Sequence, residues 1–403
     1  MATDDRDLRT GRTIWQRMRT PRVPHRRLTR NIDTDVLIIG AGITGAMIAD
    51  ALAGAGLSTV VVDKRRPLKG ATSASTALVL YEIDTPLTKL SRKIGQDKAV
   101  RAWRRSRLAL TALAARIEEL GLADAAQRKT LYLAGDELNA KALKRERDAR
   151  NAAGLESVFL GRTQLRQRFG IARAGALLGF GNLAVNPKTL TSALFDAACA
   201  NGARVYAPAE IVDVSAARTR AVATTGDGHR IRCRTLVFAT GYELPDCVPA
   251  KGHTIASTWV IATVPQRRVP WPEQCMIWEA SDPYLYMRTT DDNRVICGGE
   301  DEEFSDDADR DALIERKTRL LQTRLGKLFP GLDTRIDFAW AASFGGSKTG
   351  LPTIGEIPGM RHCWAALGYG GNGITYSRIA AELLRTALTG GRDPDADLFA
   401  FGT

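Results

Sequence analysis

The sequence contains few of the residues that hold a fold together covalently or through metal ions. Its six cysteines are scattered, without a Cys-x-x-Cys pair or a spacing typical of metal ligands. The four histidines share no spacing with a carboxylate or a cysteine that would indicate a catalytic triad. These absences exclude a disulfide framework and give no basis for predicting a metal site. Free thiols are typical of a reducing compartment, so a cytoplasmic protein is expected.

Long uninterrupted apolar runs are also missing. The longest apolar stretch, residues 36–55, is broken by glycines and by Asp50. This pattern favours a strand, a turn and a helix over a membrane span. The first residues contain no apolar core of a signal peptide, so secretion is not expected.

Positive charge, in contrast, is abundant and partly local. The net charge is +12, and nine arginines fall within residues 1–30. A basic extension of this kind is typical either of a nucleic-acid or membrane-surface arm, or of a polar segment that lies over the protein body. No aromatic interleaving or RNA-binding signature accompanies the arginines, which favours the second interpretation, with Ile14 and Trp15 as anchors. No nucleic-acid partner is therefore predicted.

A glycine-rich motif lies between two apolar runs near the start of the chain. Residues 35–39 (DVLII) have the composition of a strand buried on both faces, and residues 59–63 (TVVVD) form a second such run that ends on an acid. Between them, residues 40–45 (GAGITG) lead into a helical stretch. The strand, glycine turn, helix and second strand together predict a Rossmann-type dinucleotide-binding unit.

Each glycine of this motif has a physical role in such a unit. Gly40 permits a tight turn, Gly42 lets the backbone approach a pyrophosphate, and Gly45 lets the helix pack against the strand. The start of the helix, at Ile43 and Thr44, offers N–H groups and partial positive charge to phosphates. Asp63 is placed to accept hydrogen bonds from ribose hydroxyls, and an acid there argues against a 2′-phosphate.

Five ordered segments, of which the glycine motif is the first, carry a resemblance to a known family. The second is a small-residue loop at residues 70–78 that holds several hydroxyls. The others are residues 185–206 (which begin Val-Asn-Pro), residues 234–241 (which end Ala-Thr-Gly), and the late glycine-rich runs 344–355 and 367–374. In this order they resemble the D-amino-acid oxidase, glycine oxidase and sarcosine oxidase family of FAD-dependent oxidoreductases. The leader that ends in Asp33-Thr-Asp35 resembles the γ-glutamylputrescine oxidase branch.

The resemblance implies FAD as the cofactor and assigns residues to it. Family members that attach FAD covalently use a cysteine in the late segment, and residues 344–348 contain none, so non-covalent FAD is expected. The helix after residue 374 would direct its N-terminal N–H groups towards the pyrimidine edge of the flavin. The cofactor-binding residues predicted in this way are Gly40, Gly42, Ile43, Thr44, Gly45, Asp63, Lys64, Thr72, Ser73, Ser75, Thr76, Ala77, Leu78, Ile211, Ala239, Thr240, Gly241, Gly371, Asn372, Gly373 and Ile374.

Candidate catalytic and substrate-binding residues lie mainly in the second half of the chain. The alternation in residues 282–288 places Tyr284, Tyr286 and Arg288 on one strand face, where Arg288 could bind a carboxylate in bidentate fashion. An exposed strand face with a surface arginine is the alternative. Acidic residues 300–311 are interpreted as a solvated connection, with a cation site as the alternative.

Three further side chains are candidates for the same site. Lys348 could orient the substrate or assist oxygen chemistry, although a solvent-facing loop lysine is nearly as compatible with the sequence. Trp259 and Tyr369 are predicted to form walls of the substrate pocket, with a place in the core as the alternative.

The predicted fold is α/β (α+β), with a Rossmann-type FAD-binding domain and a discontinuous, mainly antiparallel-sheet substrate domain. After the extension of residues 1–30, the FAD-binding domain is predicted to take residues 31–85, 165–250 and 340–395, and the substrate domain residues 86–164 and 251–339. A homo-oligomer is compatible with the sequence.

The predicted function is oxidation of a C–N bond of a small amine or amino acid. Hydride would pass to flavin N5, and water would hydrolyse the resulting imine. Oxygen, a quinone or another carrier would take the electrons. The alternatives are an FAD-dependent dehydrogenase of a hydroxy acid or polyol phosphate, and a flavin-binding subunit without turnover of its own.

Overall fold

The strands of the chain form two sheets. The structure is a computed structural model that describes residues 7–17 and 21–402, so part of the predicted N-terminal extension lies outside the described residues. The first nine strands are β1 (Arg9–Gly11), β2 (Ile32–Ile39), β3 (Thr59–Val62), β4 (Leu78–Val79), β5 (Ala126–Leu133), β6 (Ser157–Gly161), β7 (Gly175–Ala184), β8 (Arg204–Tyr206) and β9 (Ile211–Ala216). The remaining strands are β10 (Ala221–Thr225), β11 (Arg230–Phe238), β12 (His253–Thr263), β13 (Met276–Glu279), β14 (Leu285–Thr289), β15 (Val295–Glu302), β16 (Ile336–Ser347), β17 (Thr353–Glu356) and β18 (Cys363–Leu367).

Helices connect and cover these sheets. They are α1 (Ile43–Ala53), α2 (Leu87–Ile94), α3 (Gln96–Glu119), α4 (Ala140–Ala152), α5 (Arg162–Phe169), α6 (Pro187–Ala200), α7 (Asp307–Ala312), α8 (Ile314–Leu328) and α9 (Gly373–Leu388). Among these described helices, none combines the length and the apolarity that crossing a membrane would require.

The first sheet has eight strands around a parallel centre. Its main order is β17-β18-β11-β2-β3-β8, and β9 and β10 extend it beside β11. The strands from β18 to β8 run parallel to one another, and β17 is an antiparallel edge. Leu37 and Ile38 of β2 are fully buried, because helices cover one face and a second apolar cluster covers the other. This sheet has the Rossmann arrangement that the glycine motif predicts.

The second sheet has ten strands and is mainly antiparallel. Its order is β1-β16-β12-β15-β14-β13-β5-β7-β4, with β6 also paired to β7, and only β13 and β5 run parallel among its described pairs. The predicted fold class is therefore confirmed.

The sheets divide the chain differently from the predicted domain boundaries at three places. In the ten-stranded sheet β7 pairs with β4 and β5, and β16 pairs with β12, whereas the predicted FAD-binding domain includes β4, β7 and the second half of β16. The apolar run of β7 fits either sheet equally well, because the partner of a strand depends on distant segments. The boundaries themselves remain a prediction.

The N-terminal segment is part of the fold. Strand β1 pairs antiparallel with β16, from Arg9 opposite Ala342 to Gly11 opposite Trp340. Ile14 and Trp15, the predicted anchors, are each 4% exposed. The interpretation of the described part of this segment as one that lies over the protein body is therefore confirmed.

Candidate active site

One cavity is lined by residues from both sheets. Its first part, the glycine end, is formed by residues 39–44, 63–65 and 239–243 near the carboxyl ends of β2, β3 and β11. Its second part, the aromatic end, is formed by Trp278, Tyr284, Tyr286 and Phe344 from the ten-stranded sheet. The cavity follows the rule that ligands of parallel α/β sheets bind outside the carboxyl ends of the strands.

Two glycines allow the close backbone approach at the glycine end. Gly40 has a φ of +115°, and a Cβ there would lie 2.3 Å from the carbonyl oxygen of Ala239. A Cβ at Gly45 would lie 1.9 Å from the carbonyl oxygen of Gly40. Side chains at these positions would force the helix away from the strand, so both glycines fit the roles predicted for them.

The first turn of α1 is open to the cavity. Gly42 occupies its N-cap and has no side chain to cap the helix. The backbone N–H of Ile43 donates to Thr72 Oγ1 at 3.0 Å, which joins the helix to the hydroxyl-rich loop. Thr44 Oγ1 lies 2.8 Å from Ser377 Oγ in the first turns of α9, so two helix N-termini approach the same cavity. This arrangement fits a phosphate-bearing, anionic cofactor.

Asp63 lies at the end of β3, as the ribose-binding acid of such a site should. Its carboxylate accepts from the N–H groups of Ala41 and Arg65, each at 2.7 Å. Burial raises the pKa of Asp63, and these two backbone hydrogen bonds oppose the increase.

The sequence interpretation missed Glu243. This buried carboxylate pairs with Arg65 at 2.6 Å and with Lys64 at 3.2 Å at the glycine end. The sequence signal that could have identified it is its position just after the Ala-Thr-Gly segment.

Most of the predicted cofactor-binding residues line the cavity. They are Gly40, Gly42, Ile43, Thr44, Asp63, Lys64, Thr72, Ser75, Thr76, Ala77, Leu78, Ile211, Ala239, Thr240, Gly241, Gly371, Gly373 and Ile374. The residues that line this cavity in the described chain include neither cysteine nor histidine, which fits non-covalent binding.

Three of the predicted residues support the cavity instead of lining it. Gly45 permits the approach of α1, and Ser73 Oγ donates to the carbonyl oxygen of Leu68 at 2.5 Å. The Asn372 side-chain amide donates to the carbonyl oxygens of Leu80 and Glu82 at 3.1 and 2.9 Å. Asn372 therefore fixes the segment that follows the hydroxyl-rich loop.

Three of the predicted substrate and catalytic residues line the cavity. They are Tyr284, Tyr286 and Tyr369. The rings of Tyr284 and Tyr286 lie 5.8 Å apart. Burial raises the pKa of both phenols, so both are neutral hydrogen-bond donors near neutral pH.

The structure places Arg288 behind the cavity wall, which corrects the prediction that it binds a substrate carboxylate. The side chain is 6% exposed, and its guanidinium donates to the carbonyl oxygens of Ala77 and Val185 at 2.7 and 3.0 Å. Burial lowers the pKa of Arg288 to about 10. The alternation correctly predicted that the tyrosines face the cavity. The arginine instead donates hydrogen bonds to main-chain carbonyl oxygens of other segments.

Lys348 and Trp259 also lie away from the cavity, contrary to prediction. Lys348 is exposed on the turn after β16, where its carbonyl oxygen accepts from Lys93 Nζ at 2.7 Å. Trp259 is buried in a core cluster, and its indole N–H donates to the carbonyl oxygen of Arg310 at 3.1 Å. The alternative interpretations of these two residues were the right ones.

Three further carboxylates line the cavity away from the glycine end. Glu82 and Asp84 lie in an irregular segment that follows the hydroxyl-rich loop, and their closeness to that loop was the available signal. Asp301 belongs to β15 instead of the solvated connection that the sequence suggested. Burial raises the pKa of all three carboxyls, that of Asp301 to about 6.

The chain is similar to known proteins over most of its length. γ-Glutamylputrescine oxidoreductase of Escherichia coli (strain K12) is 25% identical over 386 residues, which is 93% of this chain and 87% of that protein. L-proline dehydrogenase from P. horikoshii has a similar fold, with a TM-score of 0.78 and 18% identity over 93% of this chain and 97% of that one. L-α-glycerophosphate oxidase from Mycoplasma pneumoniae, solved with FAD bound, has a TM-score of 0.70 and 15% identity over 90% and 97% of the two chains. Residues 35–386 match the family model described as FAD dependent oxidoreductase, and the chain therefore belongs to this family of FAD-dependent oxidoreductases.

Proposed function

We propose that this enzyme oxidises the C–N bond of a small amine or amino acid. The observation that carries the proposal is that the cavity continues from the glycine end to an aromatic end that also holds the carboxylate of Asp301. Aromatic rings and a carboxylate suit an ammonium group, through cation–π contact and ionic hydrogen bonding. The name of the relative from Escherichia coli, which refers to an amine, points to the same class of substrate.

The nearest alternative is oxidation of a hydroxy acid or a polyol phosphate. The fold does not separate the two reactions, because a glycerophosphate oxidase and a proline dehydrogenase have folds similar to this one. A phosphate or carboxylate substrate would need cations at the aromatic end. The cations that line the cavity in the described part of the chain are Lys64 and Arg65, and both pair with Glu243 at the glycine end.

The glycine end would hold FAD. Gly40, Gly42 and the first turn of α1 would receive its pyrophosphate, and Asp63 its ribose hydroxyls. The first turn of α9 would face its flavin ring. When bound, FAD supplies the two-electron acceptor for a hydride and passes the electrons on to oxygen, a quinone or another carrier.

The residues of the aromatic end would prepare the substrate for this reaction. Tyr284, Tyr286 and Trp278 would enclose the substrate and exclude water. Asp301 Oδ1, which makes no hydrogen bond, would hold the ammonium group and accept a proton from it. Loss of a hydride from the adjacent carbon then leaves an iminium ion, which water converts into a carbonyl compound and an ammonium ion.

Anaerobic flavin bleaching across a substrate panel tests the reaction. The panel contains D- and L-amino acids, N-methyl amino acids, polyamines and 2-hydroxy acids, and each compound is mixed with FAD-loaded protein. We expect bleaching by one class of amines and none by hydroxy acids. Bleaching by hydroxy acids alone would replace the proposed bond type. No bleaching by any compound would favour a flavin-binding subunit that depends on a partner.

The cysteines and the N-terminal segment support a proposal for the setting of the enzyme. All six cysteines are free, four of them buried, which suits a reducing cytoplasm. The described part of the basic N-terminal segment is packed against the protein body, so it is not presented as a nucleic-acid arm. Formation of a homo-oligomer is a prediction that sedimentation analysis would test.

A further inference from the structure

Two buried carboxylate oxygens in the cavity have no hydrogen-bond donor. One is Oε2 of Glu82, whose side chain is 2% exposed, and the other is Oδ1 of Asp301. A buried acceptor without a donor is costly, so such atoms indicate where a ligand or an ordered water completes the site. A ligand that satisfies both oxygens must present hydrogen-bond donors to two different carboxylates.

The environment of Glu82 holds this carboxylate in place but does not satisfy it. Oε1 accepts from Thr130 Oγ1 at 2.7 Å, which leaves Oε2 without a donor. Arg150 is the cation that most affects Glu82, yet its own hydrogen bond is to Glu146 Oε1 at 2.8 Å. With all three groups ionised, the set of Glu82, Glu146 and Arg150 keeps one negative charge.

The surroundings of Asp301, like those of Glu82, keep an excess of negative charge. Asp84, which also lines the cavity, raises the pKa of Asp301, whereas Thr258, Tyr284 and Lys317 lower it. Lys317 does not neutralise Asp301, because its ammonium pairs with Glu302 at 2.6 Å and donates to the carbonyl oxygen of Glu300 at 2.7 Å. Away from the glycine end, the cavity therefore gathers the three carboxylates of Glu82, Asp84 and Asp301, whereas the cations that line it in the described chain are those at the glycine end.

We propose that the cavity binds a substrate with two ammonium groups, a diamine or polyamine, with one carboxylate for each group. Asp301 receives the nitrogen that is oxidised and Glu82 receives the second nitrogen. The assignment of the first nitrogen rests on the proposed oxidation of a C–N bond, but the binding of a dication does not. A substrate carboxylate is disfavoured because it would meet Glu82, Asp84 or Asp301 instead of a cation.

Binding can be measured apart from the reaction with amines that cannot be oxidised. In a tert-alkyl diamine, the carbons that bear nitrogen have no hydrogen, so no hydride can leave, yet both ammonium groups still donate hydrogen bonds. Calorimetry on FAD-loaded protein compares this diamine with the tert-alkyl monoamine of the same chain length. We expect the diamine to bind at least about 30-fold more tightly, the effect of one additional buried charge pair.

Variants test the residue assignment. Glu82→Gln retains the size of the side chain and should reduce the preference for the diamine to within about threefold, with little change in monoamine affinity. Asp301→Asn should weaken the binding of both amines. Glu118→Gln, which changes an exposed glutamate on α3 away from the cavity, is the matched control and should change neither affinity.

The outcomes separate this proposal from the proposed reaction. Equal affinities for the diamine and the monoamine would overturn the dication site, and so would a FAD-loaded Glu82→Gln protein that keeps the full preference for the diamine. If the tert-alkyl diamine binds selectively but no oxidisable amine bleaches the flavin, the dication site stands and the reaction is wrong. If linear monoamines bleach the flavin as readily as diamines of equal length, the reaction stands and the second site is wrong.

Discussion

The glycine end and the aromatic end of the cavity are built by different means. The glycine end uses backbone geometry, because its essential features are the φ of Gly40, the close approach at Gly45 and the open first turn of α1. Its ion pairs, such as that of Arg65 with Glu243, join residues that follow the carboxyl ends of strands in the same sheet. The aromatic end uses side chains, and its carboxylates come from segments as distant as Glu82 and Asp301.

This difference indicates what each end can tolerate. Backbone geometry depends on a few small residues, so substitutions at the glycine end should abolish cofactor binding as a whole. Side-chain chemistry can be altered one group at a time, so substitutions at the aromatic end should change ligand selectivity and leave FAD in place.

The largest effect is expected for Gly45→Ala. The new Cβ would lie 1.9 Å from the carbonyl oxygen of Gly40, a backbone atom that cannot move without opening the turn between β2 and α1. The purified protein should contain essentially no FAD, as measured by the ratio of flavin to protein absorbance. Gly331→Ala is the matched control, because a Cβ there has no neighbour within 4 Å. A Gly45→Ala protein with full FAD content would contradict the backbone account of the glycine end.

Arg288→Met should affect stability and leave substrate affinity unchanged. The substitution leaves the carbonyl oxygens of Ala77 and Val185 without their donor, so the free energy of unfolding should fall by roughly 3 kcal/mol. Chemical denaturation and the KM for the best amine are the two measurements. Lys348→Met, on an exposed turn, should change neither quantity. A KM that rises strongly at unchanged stability would instead support a role for Arg288 in substrate binding.

The affinity for the tert-alkyl diamine should depend on pH through Asp301. Because burial raises the pKa of Asp301 to about 6, the carboxylate is mostly ionised at pH 7 and becomes neutral as the pH falls. Its attraction for an ammonium group is lost in the same range, so affinity should fall about tenfold between about pH 7 and pH 5. The amine stays protonated throughout, and Asp301→Asn should remove the dependence. A dependence that survives in Asp301→Asn would assign the titration to Glu82 or Asp84.

The smallest effect is expected for Trp15→Phe. The Trp15 indole N–H donates to the carbonyl oxygen of Ser75 at 2.7 Å, in the hydroxyl-rich loop that lines the cavity. Loss of this hydrogen bond should weaken FAD binding to the apoprotein by about 1 kcal/mol, measured by titration with FAD. Trp364→Phe, on a strand that does not line the cavity, is the control. Unchanged FAD affinity would limit the N-terminal segment to a role in stability.

The glycine end of the cavity could be predicted from the sequence alone. Local patterns were sufficient there, because a buried strand, a glycine turn, a helix and a terminal acid all lie within residues 35–63. The same holds for the small residues that line the cavity after Gly70 and for Gly371 and Gly373, which lie at the start of a helix. In these places function follows from backbone conformation, which short segments of sequence encode.

Which charged side chains meet at the aromatic end could not be predicted from the sequence. Arg288 shares a strand with Tyr286, yet it turns to carbonyl oxygens of two distant segments, and a lone arginine in the sequence carries no sign of that choice. Asp301 lies in an acidic run whose composition predicts a solvated loop. In the structure it belongs to β15, which places it at the cavity. Which charges are buried together depends on long-range strand pairing, whose partners lie too far apart in the sequence for local patterns to specify.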